Sequence, residues 1–322
     1  MTGANVTSPT PSSLDPSSPD PATGPAAAES PGIWRPEGRV DLDLGARRYD
    51  VSTRALVMGI LNRTTDSFFD KGAYFDLDRL VGRAAHLVDE RADLLDVGGV
   101  KAGPGAEVTE AEELDRVIPA LEALRARFDL PLSVDTWRAS VAAAAFDVGA
   151  VVGNDISGFA DPDYLGTAAA AGATVVATHI RLAPRIPDPD PRYEDVVAEV
   201  ASFLSDRAQR AAAAGIPPER VILDAGLDLG KTTEQSLLLL QASGRLASLG
   251  HPLLLSASNK TFLGVLLDLE IDARRDASLG AAALGIARGC RVLRVHDVAG
   301  TCKVRDLIDA ILQSTPTTRI AR

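Results

Sequence analysis

Short apolar runs recur along the chain, separated by stretches whose apolar residues follow the period of an amphipathic helix. The eight runs fall at 56–61, 94–97, 132–134, 150–153, 173–178, 220–223, 253–257 and 291–295. Runs that are apolar on both faces and alternate with helices are typical of a parallel sheet covered on both sides. Because eight strands close a barrel, the pattern predicts a (β/α)8 TIM barrel. An open doubly wound sheet is the alternative, but its GxGxxG fingerprint is missing after the first run.

Two features precede the first apolar run. The segment from residue 38 alternates apolar and polar residues around Gly45, which predicts an N-terminal hairpin that covers the bottom of the barrel. Residues 1–32 consist almost wholly of Pro, Ser, Thr, Ala, Gly and Asp, and such a segment buries too little apolar surface to offset its ordering entropy. We therefore predict a disordered tail over 1–32 and a single barrel domain over 33–322.

Composition narrows the class of partner. The net charge is −11, and no cluster of Lys and Arg is present, so the sequence does not favour a nucleic-acid partner. No apolar stretch is long enough to span a membrane, and the N-terminus lacks a signal-peptide pattern. The two cysteines, Cys290 and Cys302, have no metal-binding spacing and suit a reducing compartment. These observations predict a cytoplasmic protein without a membrane partner.

Nearly every apolar run ends on a polar or ionisable residue. The carboxyl ends of barrel strands form one rim, and TIM-barrel active sites lie there. A single Asp or Asn at such a position is explained as a helix cap, but a whole converging set predicts a site. The set comprises Asn62, Asp96, Asp135, Asn154, Asp155, His179, Asp224, the segment 256–260, Arg294 and His296.

The residue types indicate what this rim binds. Carboxylates, an amide and an ammonium suit the edge of a flat heterocycle that presents ring N–H donors and a carbonyl acceptor. Arg294 and His296 lie on the last strand, near where barrels often place phosphate, and suit an anion. Asn62 suits Mg2+ that is held mainly by phosphate oxygens. The heterocycle set is Asp135, Asn154, Asp224 and Lys260.

Two rim residues keep alternative interpretations. Asp96 precedes Gly98 and Gly99, so its carboxylate either faces the site or accepts from backbone amides there. His179 ends the fifth strand and either lines the pocket or belongs to the core.

Seven segments, in chain order, resemble motifs of the dihydropteroate synthase family. They are VMGILNRTTDSFFDKG, DVGGVKAGPG, SVDT, NDISG, LDAGLDLGKT, SASNKTFLG and RVHDV, within residues 56–313. That family condenses 6-hydroxymethyl-7,8-dihydropterin diphosphate with p-aminobenzoate and releases pyrophosphate. The resemblance implies that Asp135, Asn154, Asp224 and Lys260 hold the pterin, with Asp96 in the substrate-binding set, and that Asp135, Asp224 and Lys260 support catalysis. It also implies that Arg294 and His296 hold the diphosphate, that Asn62 holds Mg2+, and that the protein is a homodimer through its late helices.

The chain also departs from the family motifs. The family's second loop reads S-T-R-P-G, whereas residues 101–105 read K-A-G-P-G. The aromatic residue that the family has before its Gly-Lys pair is Leu229 here. The Arg of the family's S-R-K segment is Asn259 here, directly before Lys260. These positions belong to the p-aminobenzoate side, whereas the pterin set is intact. The pattern resembles the divergent second copy of this family found in some actinobacteria. Arg63, Lys71 and Lys101 add positive charge nearby and are either anion partners or solvated loop charges.

Three functions fit these observations. The first is a dihydropteroate synthase with an altered p-aminobenzoate subsite. The second is a pterin-binding protein with a binding or regulatory role and weak or no synthase activity. The third is a one-carbon transferase on the same barrel, which Arg294, His296 and Asn62 disfavour because that reaction has no diphosphate to hold.

Overall fold

The computed structural model of the chain describes residue 1 and residues 33–63, 73–103 and 105–314, with the side chains of 73–76 outside the description. The tail predicted over residues 1–32 lies outside the described residues from residue 2 onward, and so do Lys71 and Pro104. No helix within the described ranges is long and apolar enough to cross a membrane.

Eight parallel strands form a closed barrel in chain order, with the last strand paired to the first, which confirms the predicted fold. They are β3 (Leu56–Asn62), β4 (Leu94–Gly98), β5 (Leu132–Asp135), β6 (Val152–Asp155), β7 (Thr174–Thr178), β8 (Val221–Asp224), β9 (Leu253–Leu255) and β10 (Cys290–Val295). Strand β6 begins and ends later in the chain than the run predicted at 150–153, because its pairing with β5 and β7 continues through Asn154 and Asp155.

Helices follow the barrel strands and cover the outside of the sheet. They are α1 (Ala73–Asp89), α2 (Glu110–Arg127), α3 (Ala139–Asp147), α4 (Tyr164–Ala170), α5 (Val196–Ala213), α6 (Thr233–Gln241), α7 (Ser243–Ala247), α8 (Thr261–Leu267), α9 (Arg275–Ala287) and α10 (Val298–Gln313). Their buried apolar residues and the outward-facing residues of the strands form the larger of two hydrophobic clusters. The amphipathic stretches seen in the sequence around 77–88 and 196–208 are helices α1 and α5.

A hairpin of β1 (Asp41–Leu44) and β2 (Arg47–Asp50) precedes the barrel, turning at Gly45, whose φ is +62°. Leu42 and Leu44 of the hairpin are buried in the second hydrophobic cluster, together with residues near the N-terminal ends of the barrel strands. The Thr174 hydroxyl at the start of β7 donates to the Asp43 carbonyl. The hairpin therefore covers the bottom of the barrel, as predicted.

Alternation along each strand places the polar residues inside the barrel. Side chains two residues apart on a strand face the same side of the sheet. A residue two positions after an apolar residue at the bottom of the barrel interior therefore also points into the barrel. In several strands an apolar residue of the bottom layer is followed in this way by a polar one. The pairs are Leu94 and Asp96, Val152 and Asn154, Ile222 and Asp224, and Val292 and Arg294. The strands therefore form an apolar floor below a polar layer.

Candidate active site

An arginine lies between two carboxylates at the centre of the polar layer. Arg294 Nε donates to Asp96 Oδ2 at 2.6 Å, and its Nη2 donates to Asp135 Oδ2 at 2.7 Å. The Arg294 side chain is 17% exposed and that of Asp96 is fully buried. The predicted diphosphate arginine is therefore held by two carboxylates of β4 and β5 inside the barrel.

Asp96 is fixed by further side chains. The Ser133 hydroxyl donates to its Oδ1 at 2.5 Å, and the Asn154 amide donates to its Oδ2 at 3.2 Å. Of the two interpretations of Asp96, the contacts support a side-chain network inside the barrel, because its hydrogen bonds in the described residues run to Ser133, Asn154 and Arg294. Asp96 thus orients Asn154 and Arg294, and the role of Ser133 was not foreseen from the sequence.

The carboxyl groups of Asp135 and Asp224, which the sequence assigned to the heterocycle, have raised pKa values. Burial raises the pKa of Asp135 to about 7, against the opposing effect of Arg294, and Asp96 adds to the rise. Burial also raises the pKa of Asp224, which Lys260 partly offsets. The Gly226 amide donates to Asp224 Oδ1 at 2.8 Å and orients that carboxyl group. Carboxyl groups with shifted pKa values in a barrel mouth are typical of functional sites.

Lys260 lies at the open end of this layer. Its ammonium donates to the Leu227 carbonyl at 2.5 Å, and burial lowers its pKa. The loop that carries Leu227 is joined to the loop of Lys260 by Asp228, whose carboxylate accepts from the Thr261 amide at 2.6 Å. The contacts between the loops after β8 and β9 therefore fix Lys260 close to Asp224.

A second lysine, not assigned a role from the sequence, stabilises the loop after β8. Lys231 is 8% exposed, and its ammonium contacts the Gly226 carbonyl at 2.9 Å, the Leu229 carbonyl at 3.0 Å and His179 Nδ1 at 2.9 Å. Burial lowers the pKa of Lys231 to about 7. The pKa of His179 is lowered to about 3 by its burial and by the nearby charge of Lys231. His179 is therefore neutral and accepts from Lys231. The sequence signal for Lys231 was its place in the LDAGLDLGKT motif.

Asn62 and His296 lie at the mouth. A Cβ built on Gly98 would lie 3.5 Å from both Asn62 Oδ1 and Asp135 Oδ2, so these oxygens share the space that Gly98 leaves open. His296 Nδ1 lies 3.0 Å from the Ser258 hydroxyl. Partial burial, with the nearby Arg294, lowers the pKa of His296 to about 4, so its imidazole is neutral near neutral pH.

The altered positions fall into two places. Ala102, Gly103 and Leu229 line one pocket of about 320 Å3, together with Arg185 and Lys231. Asn259 instead lines a separate pocket of about 240 Å3 beside Ser258 and His296. The altered loop at 101–105 and the altered position Leu229 therefore lie in one pocket, and the third altered position, Asn259, lies in another.

Arg63, one of the added cations, binds the backbone of α2. Its Nη1 donates to the Arg116 carbonyl at 2.6 Å and lies 3.4 Å from the Asp115 carbonyl. Pro119, inside α2, has no N–H to offer the Asp115 carbonyl four residues earlier, which leaves an acceptor available to Arg63. These contacts favour a structural explanation for Arg63 over an anion-binding one.

Comparisons with known proteins agree with this arrangement. Residues 58–296 match the family model described as pterin binding enzyme. A dihydropteroate synthase of Haemophilus influenzae is 39% identical over 246 residues, which cover 76% of this chain and 90% of that protein. A Mycobacterium leprae protein named inactive dihydropteroate synthase 2 is 42% identical over 276 residues, covering 84% of this chain and 94% of that protein. The solved structure of Xanthomonas albilineans dihydropteroate synthase with 4-aminobenzoic acid has a TM-score of 0.80 at 39% identity and covers 86% of this chain and 100% of that one.

Proposed function

The chain belongs to the pterin-binding enzyme family as a transferase of the dihydropteroate synthase type, and we propose that it binds 6-hydroxymethyl-7,8-dihydropterin diphosphate and condenses it weakly with p-aminobenzoate. One observation carries the proposal. The barrel interior holds Asn154 and Asp224 in a polar layer above an apolar floor, with Asp135 joined to that layer through Arg294 at 2.7 Å and Lys260 at its open end. This layer offers acceptors for ring N–H groups and one donor for a ring carbonyl.

The proposed pterin pose follows from these groups. Asp224 and Asp135 accept ring N–H hydrogen bonds, Asn154 contacts the adjoining ring edge, and Lys260 donates to the ring carbonyl. Asp96 keeps Asn154 oriented through its 3.2 Å hydrogen bond. Burial strengthens these charge-assisted bonds, because little water competes for the carboxylates.

The condensation breaks the bond between the pterin methylene carbon and the diphosphate oxygen. The amine nitrogen of p-aminobenzoate forms the new C–N bond and gives up a proton, and pyrophosphate leaves. Positive charge develops on the pterin methylene as the C–O bond lengthens. Carboxylates fixed beforehand at Asp135 and Asp224 stabilise that charge without reorganising. Arg294 and the neutral imidazole of His296 would donate to the diphosphate oxygens.

Mg2+ is part of this proposal. Within the described residues, no group of three or more His, Cys, Asp or Glu side chains is arranged to hold a metal ion. Asn62 Oδ1, which faces the space above Gly98, fits a cation held by one protein oxygen together with diphosphate oxygens and water. When bound there, Mg2+ would neutralise charge on the leaving diphosphate.

The p-aminobenzoate subsite in this proposal is the pocket lined by Ala102, Gly103 and Leu229. Leu229 retains apolar contact with the ring but loses the stacking that an aromatic side chain adds. Arg185 lines the same pocket and supplies a cation for the carboxylate. The hydroxyl and guanidinium of the family's S-T-R-P-G segment are missing from this loop, so we propose weaker p-aminobenzoate binding than the family motif would give.

The alternative is a protein that binds the pterin and does not condense it. The altered loop after β4 favours it, and a Mycobacterium leprae relative at 42% identity carries the name inactive dihydropteroate synthase 2. One experiment separates the two. Purified protein is incubated with pterin diphosphate, p-aminobenzoate and Mg2+, and pyrophosphate release is measured, with calorimetry reporting pterin binding separately. Slow release that Asp224→Ala abolishes supports the synthase, whereas pterin binding with no release supports the alternative.

Pterin binding has its own test. Asp135→Ala and Asp224→Ala each remove a buried charge-assisted hydrogen bond, so we expect at least ~10-fold weaker binding in calorimetry. The matched control is Asp129→Ala, whose side chain is 90% exposed. Undiminished binding in both barrel variants would remove the pterin assignment.

We further propose a homodimer and a cytoplasmic location. Large apolar side chains are exposed close together at the end of α8 and just after it, namely Val265, Leu266, Leu267 and Ile271. Burying such a patch against a second copy removes apolar surface from water. Light scattering after size exclusion should show a dimer that Leu266→Glu dissociates. The control is Leu307→Glu on α10, where the leucine is also exposed, at 64%. A monomeric unmodified protein would contradict the dimer.

A further inference from the structure

The end of the barrel opposite the candidate active site has a cavity of about 500 Å3. It lies where β9 and β10 begin, between the segment before the hairpin and the end of α7. Its lining includes Trp34, Arg35, Arg39, Ser248, His251 and Arg291. The proposed reaction uses none of these residues.

Arg291 is the unusual member of this lining. It is 1% exposed, its Nε donates to the Ser52 carbonyl at 3.2 Å, and its Nη1 donates to the carbonyls of Ile286 and Cys290 at 3.0 and 2.9 Å. Its Nη2 is buried and has no hydrogen-bond partner within the part of the chain that is described. A buried N–H group that lacks an acceptor costs free energy, so such a group usually marks a missing partner.

Other buried arginines of this protein show the difference. Arg305 is also 1% exposed and pairs with Asp93 and Asp306, both at 2.8 Å. Arg294 pairs with Asp96 and Asp135. Arg291 has no carboxylate at ion-pair distance among the described residues, although buried charges are ordinarily paired. Its Nη1 caps the Ile286 carbonyl at the end of α9 and donates to the Cys290 carbonyl at the start of β10, which leaves Nη2 unexplained.

The surroundings of Arg291 favour an anion. The Trp34 ring covers its guanidinium, with Cζ 5.3 Å from the ring centroid. Gly289 permits this approach, because a Cβ there would lie 2.9 Å from the ring and its φ is +100°. Arg35 and Arg39 line the same cavity together with one carboxylate, Glu37, so the charged residues of its lining are net positive in a chain whose net charge is −11. Arg39 also pairs with Asp41 at 2.7 Å, which leaves Arg291 and Arg35 as the cations without a carboxylate partner at ion-pair distance among the described residues.

We propose that this cavity is a second ligand site that binds the oxyanion of a small molecule, a phosphate or a carboxylate, with the Arg291 guanidinium as its principal donor. A small movement of the Trp34 ring would let the oxyanion reach Nη2. The site lies at the stabilising face of the barrel and not at the catalytic rim. Its occupation therefore stabilises the folded chain by mass action, independently of pterin binding.

Trp34 provides a local readout, because the chain has only two tryptophans. In a Trp137→Phe background, Trp34 emission is followed while inorganic phosphate or benzoate is added at constant ionic strength. We expect a saturable change in emission and a melting temperature that rises with the logarithm of probe concentration. Arg291→Gln should weaken the response at least ~10-fold, because a hydrogen bond to a charged group is lost.

Two controls locate the effect. Arg245→Gln removes the charge of an exposed side chain on α7 near the cavity and should leave the response unchanged. His296→Ala at the opposite end should leave the Trp34 emission response unchanged, which separates this site from the proposed diphosphate site. If Arg291→Gln does not fold, the double variant Arg35→Gln and Arg39→Gln tests the same charge from the cavity rim and should weaken binding several-fold.

The outcomes divide cleanly. A response to phosphate alone or to benzoate alone supports the site and identifies the ligand class. The proposal would be overturned if neither probe gave a saturable response up to concentrations on the order of tens of millimolar, because a specific site binds more tightly than that. An equal response in a folded Arg291→Gln variant would overturn it as well. Neither result bears on pterin binding, which calorimetry measures separately.

Discussion

The interior of the barrel and the loop after β4, which lines the proposed p-aminobenzoate subsite, are held in opposite ways. In the interior, side chains hold one another, as Asp96 does through Ser133, Asn154 and Arg294. In the loop after β4, the backbone is held instead. Arg116 donates to the Gly99 carbonyl at 3.0 Å, and Arg185 donates to the carbonyl of Ala106.

This difference explains where the sequence departs from the family motifs. An interior side chain cannot change without leaving a buried partner unsatisfied, so each member of the network constrains the others. A loop fixed through its carbonyl oxygens keeps its path whichever side chains it carries. Positions 101–103 are therefore open to substitution without a large effect on the fold, whereas Asp96 is not.

The largest expected effect tests the interior. Asp96→Ala leaves the Arg294 guanidinium with one carboxylate and removes the acceptor of Asn154, so the free energy of unfolding should fall by about 3–5 kcal/mol. Urea denaturation followed by circular dichroism measures it. Asp129→Ala is the control, because that carboxylate is 90% exposed in its ion pair with Arg47 and should change stability by less than ~1 kcal/mol. A loss at Asp96 no larger than that of the control would show that the network is not stabilising.

Much of this interior was predictable from the sequence. The eight apolar runs gave the strands, and alternation along each strand decided that Asp96, Asn154 and Asp224 point inward. Which partners they choose was not predictable, because the contact between Arg294 and Asp96 joins residues 198 positions apart through barrel closure.

The loop contacts were less accessible to sequence reasoning. From the sequence, Arg63 was either an anion partner or a solvated loop charge, and only the fold shows its donation to the carbonyls of α2. Lys231 looked like a neighbour of the altered position Leu229, whereas its ammonium holds the whole loop through carbonyl oxygens. Contacts to backbone carbonyls leave no pattern in residue types, so the sequence carries little signal for them.

The second prediction converts the loop side towards the family motif. Combining Ala102→Thr, Gly103→Arg and Leu229→Phe returns a hydroxyl, a cation and a stacking ring to one pocket. Gly103 has open space around its Cβ position, so the larger side chain is accommodated. We expect affinity for p-aminobenzoate to rise by about 2–4 kcal/mol, or ~30-fold to several hundred-fold, with faster pyrophosphate release. Ordinary turnover with micromolar p-aminobenzoate in the unmodified protein would show that the subsite was never impaired.

A third prediction uses pH to test the interior through the titration of Asp135. Burial raises the pKa of Asp135 to about 7, and in the proposed pose its ionised carboxylate accepts from the pterin. Pterin affinity in calorimetry should therefore rise by about 10-fold between pH 6 and pH 8. The contribution of Asp135 to stability runs the opposite way, since a raised carboxyl pKa gives stability that is present below about pH 4 and is lost as pH rises through about 7. In Asp135→Asn the pH dependence of affinity should disappear, and its persistence would assign the titration to another group.

The smallest effect concerns the altered position that the structure separates from the others. Asn259 has a φ of +59°, in the left-handed region that asparagine tolerates better than most residues. Its amide also accepts from the Ser278 hydroxyl at 3.4 Å, across the pocket that contains His296. Asn259→Arg should therefore cost about 0.5–1 kcal/mol in urea denaturation, whereas Asn259→Gly should stay within about 0.5 kcal/mol of the unmodified protein. Because Asn259 lies outside the pocket of Leu229, adding Asn259→Arg to the triple variant should leave p-aminobenzoate affinity within about twofold. A large further gain from that one substitution would place the p-aminobenzoate carboxylate beside β9 instead of beside Arg185.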